Sequence, residues 1–305
     1  MANAAKKPLI GFIGQGYIGK NYSDDFESRG YEVVRYSLEP AYIKNKERIQ
    51  ECPIVFVAVW TPTTPKGFDL SVVESVLRLV KKGSTVVLKS TIVPGTTAKL
   101  QKKFPHLIMM YSPEFLSVGT AAEDARNPFS NVLGLPVEDS KHREAAKTVL
   151  AILPKAPFET ICKSIEAEVI KYSHNLSGYT QIITFNMLYD VAKKLGGNWD
   201  VVHKALLADP FIPNRYSQPL HKSGRGAGGG CFIKDFAAFR TLYKQVLPKE
   251  IEAINALIAF EKKNVQLLTS TKKDLELLVG VYGPKVTKSK VKAAVGRSAT
   301  STKAR

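Results

Sequence analysis

The chain has 305 residues, 44% of them hydrophobic and 23% charged, a composition that suits a soluble protein of two domains with ordinary cores. No stretch of about eighteen or more apolar residues occurs, which excludes a membrane-spanning helix, and the opening Met1-Ala-Asn-Ala-Ala-Lys-Lys-Pro lacks the apolar run of a secretory leader. The formal net charge of +17 favours anionic partners, whether nucleotide, phosphate or nucleic acid, and is concentrated at the end, where seven lysines and arginines and no acid lie between Lys285 and Arg305.

In chain order, the first predicted strand is Leu9–Ile13, followed by Gly14-Gln15-Gly16-Tyr17-Ile18-Gly19 and a polar helix ending near Gly30, a residue suited to the left-handed turn that closes a helix. Further strands are predicted at Glu32–Tyr36, Ile54–Val59, Thr85–Lys89, Leu107–Tyr111 and Asn131–Gly134, with a helix over Leu70–Lys82. Strands that are apolar throughout and alternate with helices indicate an α/β domain, a doubly wound parallel sheet covered on both faces. From Ser164 the pattern becomes helical. One long amphipathic helix is expected over Ser164–Leu195, with others over Trp199–Leu207, Lys234–Tyr243 and Pro248–Leu268. The expected organisation is a Rossmann domain over 1–163, an all-α central domain over 164–284 and a disordered basic tail over 285–305, available to nucleic acid.

The turn formed by Gly14, Gly16 and Gly19 reads G-x-G-x-x-G between a strand and a helix. The first glycine permits the tight turn, the second lets backbone approach a pyrophosphate, and the third allows close packing of helix on strand. The helix start then offers free N–H groups to the phosphates, with Tyr17 and Ile18 in its first turn. A dinucleotide is the expected ligand. Ser37 stands where an acid usually binds the adenosine ribose. It does not repel a 2′-phosphate, Glu39 follows, and Arg35, Lys44 and Lys46 are close in sequence. NAD and NADP therefore both stay open.

Three cysteines, Cys52, Cys162 and Cys231, are too few and too scattered for a disulfide frame or a zinc site, so a reducing cytoplasm is the expected compartment. Cys231 stands apart because glycines at 224, 226, 228, 229 and 230 precede it. Such glycines bring backbone close to something, most simply a ligand's phosphates or sugar. A cysteine at the start of a helix is accessible, and the helix dipole favours its thiolate. Asp235 follows four residues later, on the same helical face. Lys171 and Asn175 share the i, i+4 spacing on the long helix and point two donors to one side, an arrangement that stabilises an oxyanion or organises a water.

Taken together, Val57-Ala-Val-Trp-Thr61-Pro-Thr, Lys89-Ser-Thr91-Ile-Val-Pro-Gly-Thr-Thr, Ser112-Pro-Glu114-Phe115-Leu116, Lys171-x-x-x-Asn175 and Gly226-Ala-Gly228-Gly229-Gly-Cys231-Phe-Ile-Lys234-Asp235 occur in this order over residues 8–270. They resemble the motifs of the UDP-glucose/GDP-mannose dehydrogenase family. The resemblance implies a 6-phosphogluconate dehydrogenase-like central domain, dimerisation through the long helix, and two-step oxidation of a nucleotide sugar at C6, UDP-glucose first among the expected substrates. It further implies a thiohemiacetal and then a thioester on Cys231. Lys171 would hold the developing negative oxygen, while Asn175, Thr91 and Asp235 would position water or accept protons, and Glu114 would act as base for hydrolysis. Thr61, Thr91 and Lys234 would line the cofactor. Glu114, Phe115, Leu116, Lys171, Asn175, Arg215, Gly228 and Gly229 would line the substrate.

The match is incomplete. Val118 stands where the family carries a second glutamate, and Met187 follows Asn186 where a glutamate is usual. Family members continue into a second Rossmann-like domain that binds UDP, so the chain reads as a short form. The rival reading is a non-catalytic descendant whose basic tail binds nucleic acid or another acidic partner.

Overall fold

The computed structural model describes residues 7–287. The elements in chain order are β1 Ile10–Ile13, α1 Tyr17–Ser28, β2 Val33–Tyr36, β3 Ile54–Val57, β4 Thr63–Thr64, β5 Gly67–Phe68, α2 Ser71–Leu77, β6 Thr85–Leu88, α3 Thr96–Lys103, β7 Ile108–Tyr111, α4 Ala121–Arg126, β8 Ser130–Leu135, α5 Ser140–Ile152 and β9 Phe158–Lys163. The helical part follows with α6 Ser164–Lys194, α7 Trp199–Ala208, the two-residue strands β10 Leu220–His221 and β11 Gly224–Arg225, α8 Gly229–Val246, α9 Ile251–Ser270 and α10 Leu275–Tyr282. Two compact units result. One holds the chain up to Thr61 with Asp69–Lys171, and the other holds Pro62–Phe68 with the chain from Tyr172 onward.

The first unit is built on a seven-stranded sheet in the order β2-β1-β3-β6-β7-β8-β9. The first five strands are mutually parallel, as expected. β8 runs antiparallel to β7, and β9 parallel to β8. The departure follows from the connection: between β7 and β8 the chain forms only the short α4, packed beside α1, and re-enters the sheet from the same end. The strands β1, β3, β6 and β7 are buried at every position, as their unbroken apolar runs require. Phe12 stacks on Phe56 with ring centroids 4.8 Å apart, and Phe26 closes edge-on at 5.5 Å, so α1 is fixed to the sheet by an aromatic cluster.

α2 stops at Leu77, short of the predicted Lys82. Its last turn tightens into Leu79 N–H to Val76 and Val80 N–H to Leu77 bonds, and Gly83 then takes φ +88°. The strand β9 and the helices α3 to α5 lie outside the sequence prediction. The start of α5 is nonetheless locally encoded, since Asp139 accepts the His142 N–H at 2.7 Å.

In the second unit Tyr179 of α6 stacks on Phe236 of α8 at 3.9 Å. Ile233 and Ala237 of α8 pack with Leu268 of α9 and with Leu278 and Val281 of α10. α8 begins at Gly229, five residues before the predicted start. Lys285 to Thr287 belong to the described residues, and Val286 packs against this cluster. The remainder of the predicted basic tail lies outside them. Among the described residues no helix is long and apolar enough to cross a membrane.

Candidate functional site

The glycine turn after β1 is shaped by packing at two of its three glycines. Gly14 has φ +93°, and a side chain there would collide with the Ala58 carbonyl after β3. A side chain at Gly19 would collide with the Gly14 carbonyl. At Gly16 the backbone is ordinary, with φ −70°, and a Cβ would meet nothing within 4 Å. No side chain caps the N-terminus of α1, which begins at Tyr17 with Ile18 next. The turn thus presents uncapped N–H groups beside open space, the form that accepts a dinucleotide pyrophosphate.

Ser37 follows β2 and its Oγ accepts the Glu39 N–H at 3.2 Å. Arg35 faces the other way in chemical terms: its guanidinium is paired with Asp24 at 2.7 Å and Glu27 at 2.6 Å, both on α1. Tyr17 donates its hydroxyl to the Ser117 carbonyl. Thr61 is buried and donates to the Thr91 carbonyl at 2.7 Å, which ties the ends of β3 and β6 together.

The Ser112-Pro113-Glu114-Phe115-Leu116 segment leaves β7 and meets Lys171 of α6. The Lys171 ammonium donates to the Glu114 carbonyl at 2.6 Å and to Glu114 Oε1 at 2.8 Å, and the Leu116 N–H donates to Glu114 Oε2 at 3.0 Å. Burial works to raise the Glu114 pKa, but Lys171, the Leu116 N–H and Lys89 outweigh it and hold the carboxyl below its usual range. Phe115 lies under the Lys171 ammonium, 5.5 Å from the ring centre, and packs at a tilt against Phe129.

Lys89 opens the Ser90-Thr91 motif segment and carries no sequence signal of its own. It is buried, donates to Ser112 Oγ at 3.0 Å and sits 4.2 Å from the Tyr22 ring centre. Burial pushes its pKa down to about 7, with Lys171 lowering it and Glu114 opposing. Glu168, one helical turn before Lys171, is fully buried and accepts the N–H groups of Gly95 and Thr97 and the Thr97 hydroxyl at 2.5, 2.8 and 2.6 Å. It caps α3 and so fixes the Val93-Pro94-Gly95-Thr96 turn. A lone glutamate on a helix gives no sequence signal for that role.

In the second unit Asp235 is the hub. Its Oδ2 accepts from Asn175 at 2.6 Å and its Oδ1 from Lys234 at 2.5 Å, and all three side chains are buried. Cys231, in the first turn of α8, is exposed. Arg215 sits in a short turn over the Tyr216 ring, and Tyr216 packs edge-on against Phe232.

The glycines before Cys231 have a different origin from the one expected. Side chains at Gly224, Gly226 and Gly228 would run into Thr271, Asn264 and Asp274 respectively. The backbone there approaches the protein's own segment 264–274, and a ligand is not needed to explain the composition at those three positions. Asn186, at the position followed by Met187 where the family has glutamate, accepts from Arg225 through both its side chain and its carbonyl, at 2.8 and 2.9 Å.

Residues 40–153 match the NAD binding domain, and residues 165–263 the central domain, of the UDP-glucose/GDP-mannose dehydrogenase family. The chain belongs to this family. The UDP-glucose 6-dehydrogenase of Rickettsia conorii is 29% identical over 232 residues, which are 71% of this chain and 52% of the relative. The UDP-glucose 6-dehydrogenase AglM of Haloferax volcanii is 27% identical over 279 residues, 75% of this chain and 64% of the relative. A UDP-glucose dehydrogenase from the archaeon Pyrobaculum islandicum has a similar structure, with TM-score 0.73 and 26% identity over 88% of this chain and 71% of its own. The chain spans about half the length of the first curated relatives it matches. The first match lies mostly within the Rossmann unit and the second mostly within the helical unit.

Proposed function

We propose that the protein oxidises the C6 hydroxyl of a nucleotide sugar, UDP-glucose in the first instance, to the carboxylate in two NAD-dependent steps. The observation that carries this reading is the exposed Cys231 thiol one helical turn from Asp235, whose carboxylate is bound on both oxygens by Asn175 and Lys234. A buried carboxylate between two donors is a preorganised polar group rather than a packing residue.

NAD fits the turn at Gly14, Gly16 and Gly19 because Gly16 leaves space that no protein atom fills. Ser37 and Glu39 are suited to the ribose hydroxyls, and Arg35, neutralised by Asp24 and Glu27, is poorly placed to attract a 2′-phosphate. NAD would supply the hydride acceptor, one molecule for the alcohol-to-aldehyde step and a second for the thiohemiacetal-to-thioester step. Cys231 as thiolate adds to the aldehyde carbon and forms a thiohemiacetal, whose oxidation gives a thioester. Water then adds to the thioester carbonyl, the C–S bond breaks, and the carboxylate and free thiol result. Lys171 supports the negative oxygen, Glu114 takes the proton from water, and Asn175, Thr91 and Asp235 orient it. Phe115, Leu116, Arg215, Gly228 and Gly229 belong to the substrate side of this reading, and Thr61 and Lys234 to the cofactor side.

The protein also acts as a homodimer in this reading. Met187, Leu188 and Val191 of α6, with Val201 and Leu207 of α7 and Phe211 beyond it, are exposed apolar side chains, and a second copy of the same face is the expected cover. A monomer at micromolar concentration by sedimentation would count against this. Incubation of purified protein with UDP-glucose, GDP-mannose and either NAD or NADP tests the activity. Two cofactors reduced per uronic acid formed is the expected stoichiometry. No cofactor reduction with any nucleotide sugar overturns it.

A further inference from the structure

The turn before Cys231 is held by the segment 264–274 at four residues, Arg225, Gly226, Ala227 and Gly229. The Arg225 N–H donates to Thr271 Oγ1 at 3.1 Å, and Lys273 Nζ donates to the Gly226 carbonyl at 3.0 Å. Asn264 closes on Ala227 from both sides, accepting its N–H at 2.7 Å and donating to its carbonyl at 3.0 Å. The Gly229 N–H, the first of α8, donates to Asp274 Oδ2 at 2.8 Å. Two residues of the segment, Lys272 and Asp274, take left-handed backbone with φ +56° and +52°. Non-glycine residues hold that conformation only where their surroundings demand it. Glycine at 228 is demanded in turn, because a Cβ there would strike the Asp274 carboxylate.

We propose that Asp274 is a positioning residue for Cys231: its carboxylate, seated on the first N–H of α8, fixes the glycine turn and thereby the thiol two residues further on. The proposal rests on the reading of Cys231 as nucleophile. In this proposal Asp274 acts through the turn and not on the reacting atoms. The left-handed backbone explains the residue type, since aspartate and asparagine tolerate it while offering an acceptor.

The test compares Asp274→Gly with Asp274→Asn in the full chain. Glycine relieves the left-handed backbone but removes the acceptor, and asparagine keeps both. Deuterium uptake by the peptide covering 225–231 should be at least about tenfold faster in Asp274→Gly and near wild type in Asp274→Asn. Lys273→Met, which loses only the Gly226 tie, should fall between them and serves where Asp274→Gly does not fold. With UDP-glucose and NAD, kcat should fall about tenfold or more in Asp274→Gly with KM changed less than about twofold, and Asp274→Asn should restore it. Unchanged exchange in Asp274→Gly, or faster exchange with unchanged kcat, overturns the proposal. An inactive wild-type chain overturns the dehydrogenase reading instead, and exchange still decides whether the segment holds the turn.

Discussion

The Lys171 ammonium lies 2.8 Å from Glu114 Oε1, and the two side chains are 4% and 5% exposed. An ion pair so buried is costly to break from one side, because the surviving charge is left in the interior. Lys171→Met should lower stability by about 3–5 kcal/mol in urea denaturation, and adding Glu114→Gln should recover part of that loss. The Glu114 pKa is held down in the folded state. Its contribution is therefore present above the unfolded carboxylate pKa and is lost as pH falls through the lower folded value. The acid limb of stability should flatten in the double variant.

Lys89 gives a rise of the same sign in an alkaline window. Its pKa is pushed down to about 7, so between about pH 7 and the unfolded lysine value near 10.4 the unfolded chain binds the extra proton. Stability should rise with pH across that window by about 1 kcal/mol per pH unit. Lys89→Met should abolish the rise, seen as equal urea midpoints at pH 7.5 and 9.

Two of the fingerprint glycines, Gly16 and Gly19, should separate by phenotype. Gly19→Ala places a methyl group into the Gly14 carbonyl and should cost about 3 kcal/mol or more. Gly16→Ala meets no protein atom, so stability should hold within about 1 kcal/mol. Its NAD dissociation constant should rise about tenfold or more. Quenching of the exposed Trp60 on titration with NAD offers the readout. Equal NAD affinity for Gly16→Ala and wild type would remove the cofactor from this turn.

Arg35 is engaged by Asp24 and Glu27, so NAD should be preferred to NADP by about tenfold or more in kcat/KM. Asp24→Asn with Glu27→Gln releases the guanidinium and should narrow that ratio. A wild-type preference for NADP contradicts the assignment.

Cys231→Ser should reduce acid formation from UDP-glucose by about a thousandfold or more, because a serine hydroxyl stays protonated near neutral pH and is a poorer nucleophile than a thiolate, and an alkoxide is the poorer leaving group. Quantifying uronic acid by mass spectrometry checks it. Full turnover to the acid in Cys231→Ser would exclude covalent catalysis by this thiol.

The sequence by itself determined the parts that depend on neighbours along the chain. The apolar runs at Ile54–Val57 and Thr85–Leu88 encode buried strands, because a strand enclosed on both faces has no polar side. The 3.6-residue periodicity encodes α6 to within a residue of its end. Gly19 was legible because it closes on Gly14 within the same turn, and Gly14 because its left-handed backbone belongs to that turn. The family was legible because its motifs are short and ordered, and the matches over 40–153 and 165–263 bear that out.

Only the tertiary structure decided what residues distant in sequence do to one another. The reversal of β8 depends on where α4 packs, which no local pattern records. Glu168 is a helix cap only because α6 delivers it to Gly95 and Thr97, some seventy residues away in sequence. The glycines at 224, 226 and 228 looked like a ligand cradle, yet Thr271, Asn264 and Asp274 occupy the space beside them. The absence of a side chain is visible in a sequence. What fills the vacated volume is set by long-range packing, and so belongs to the fold.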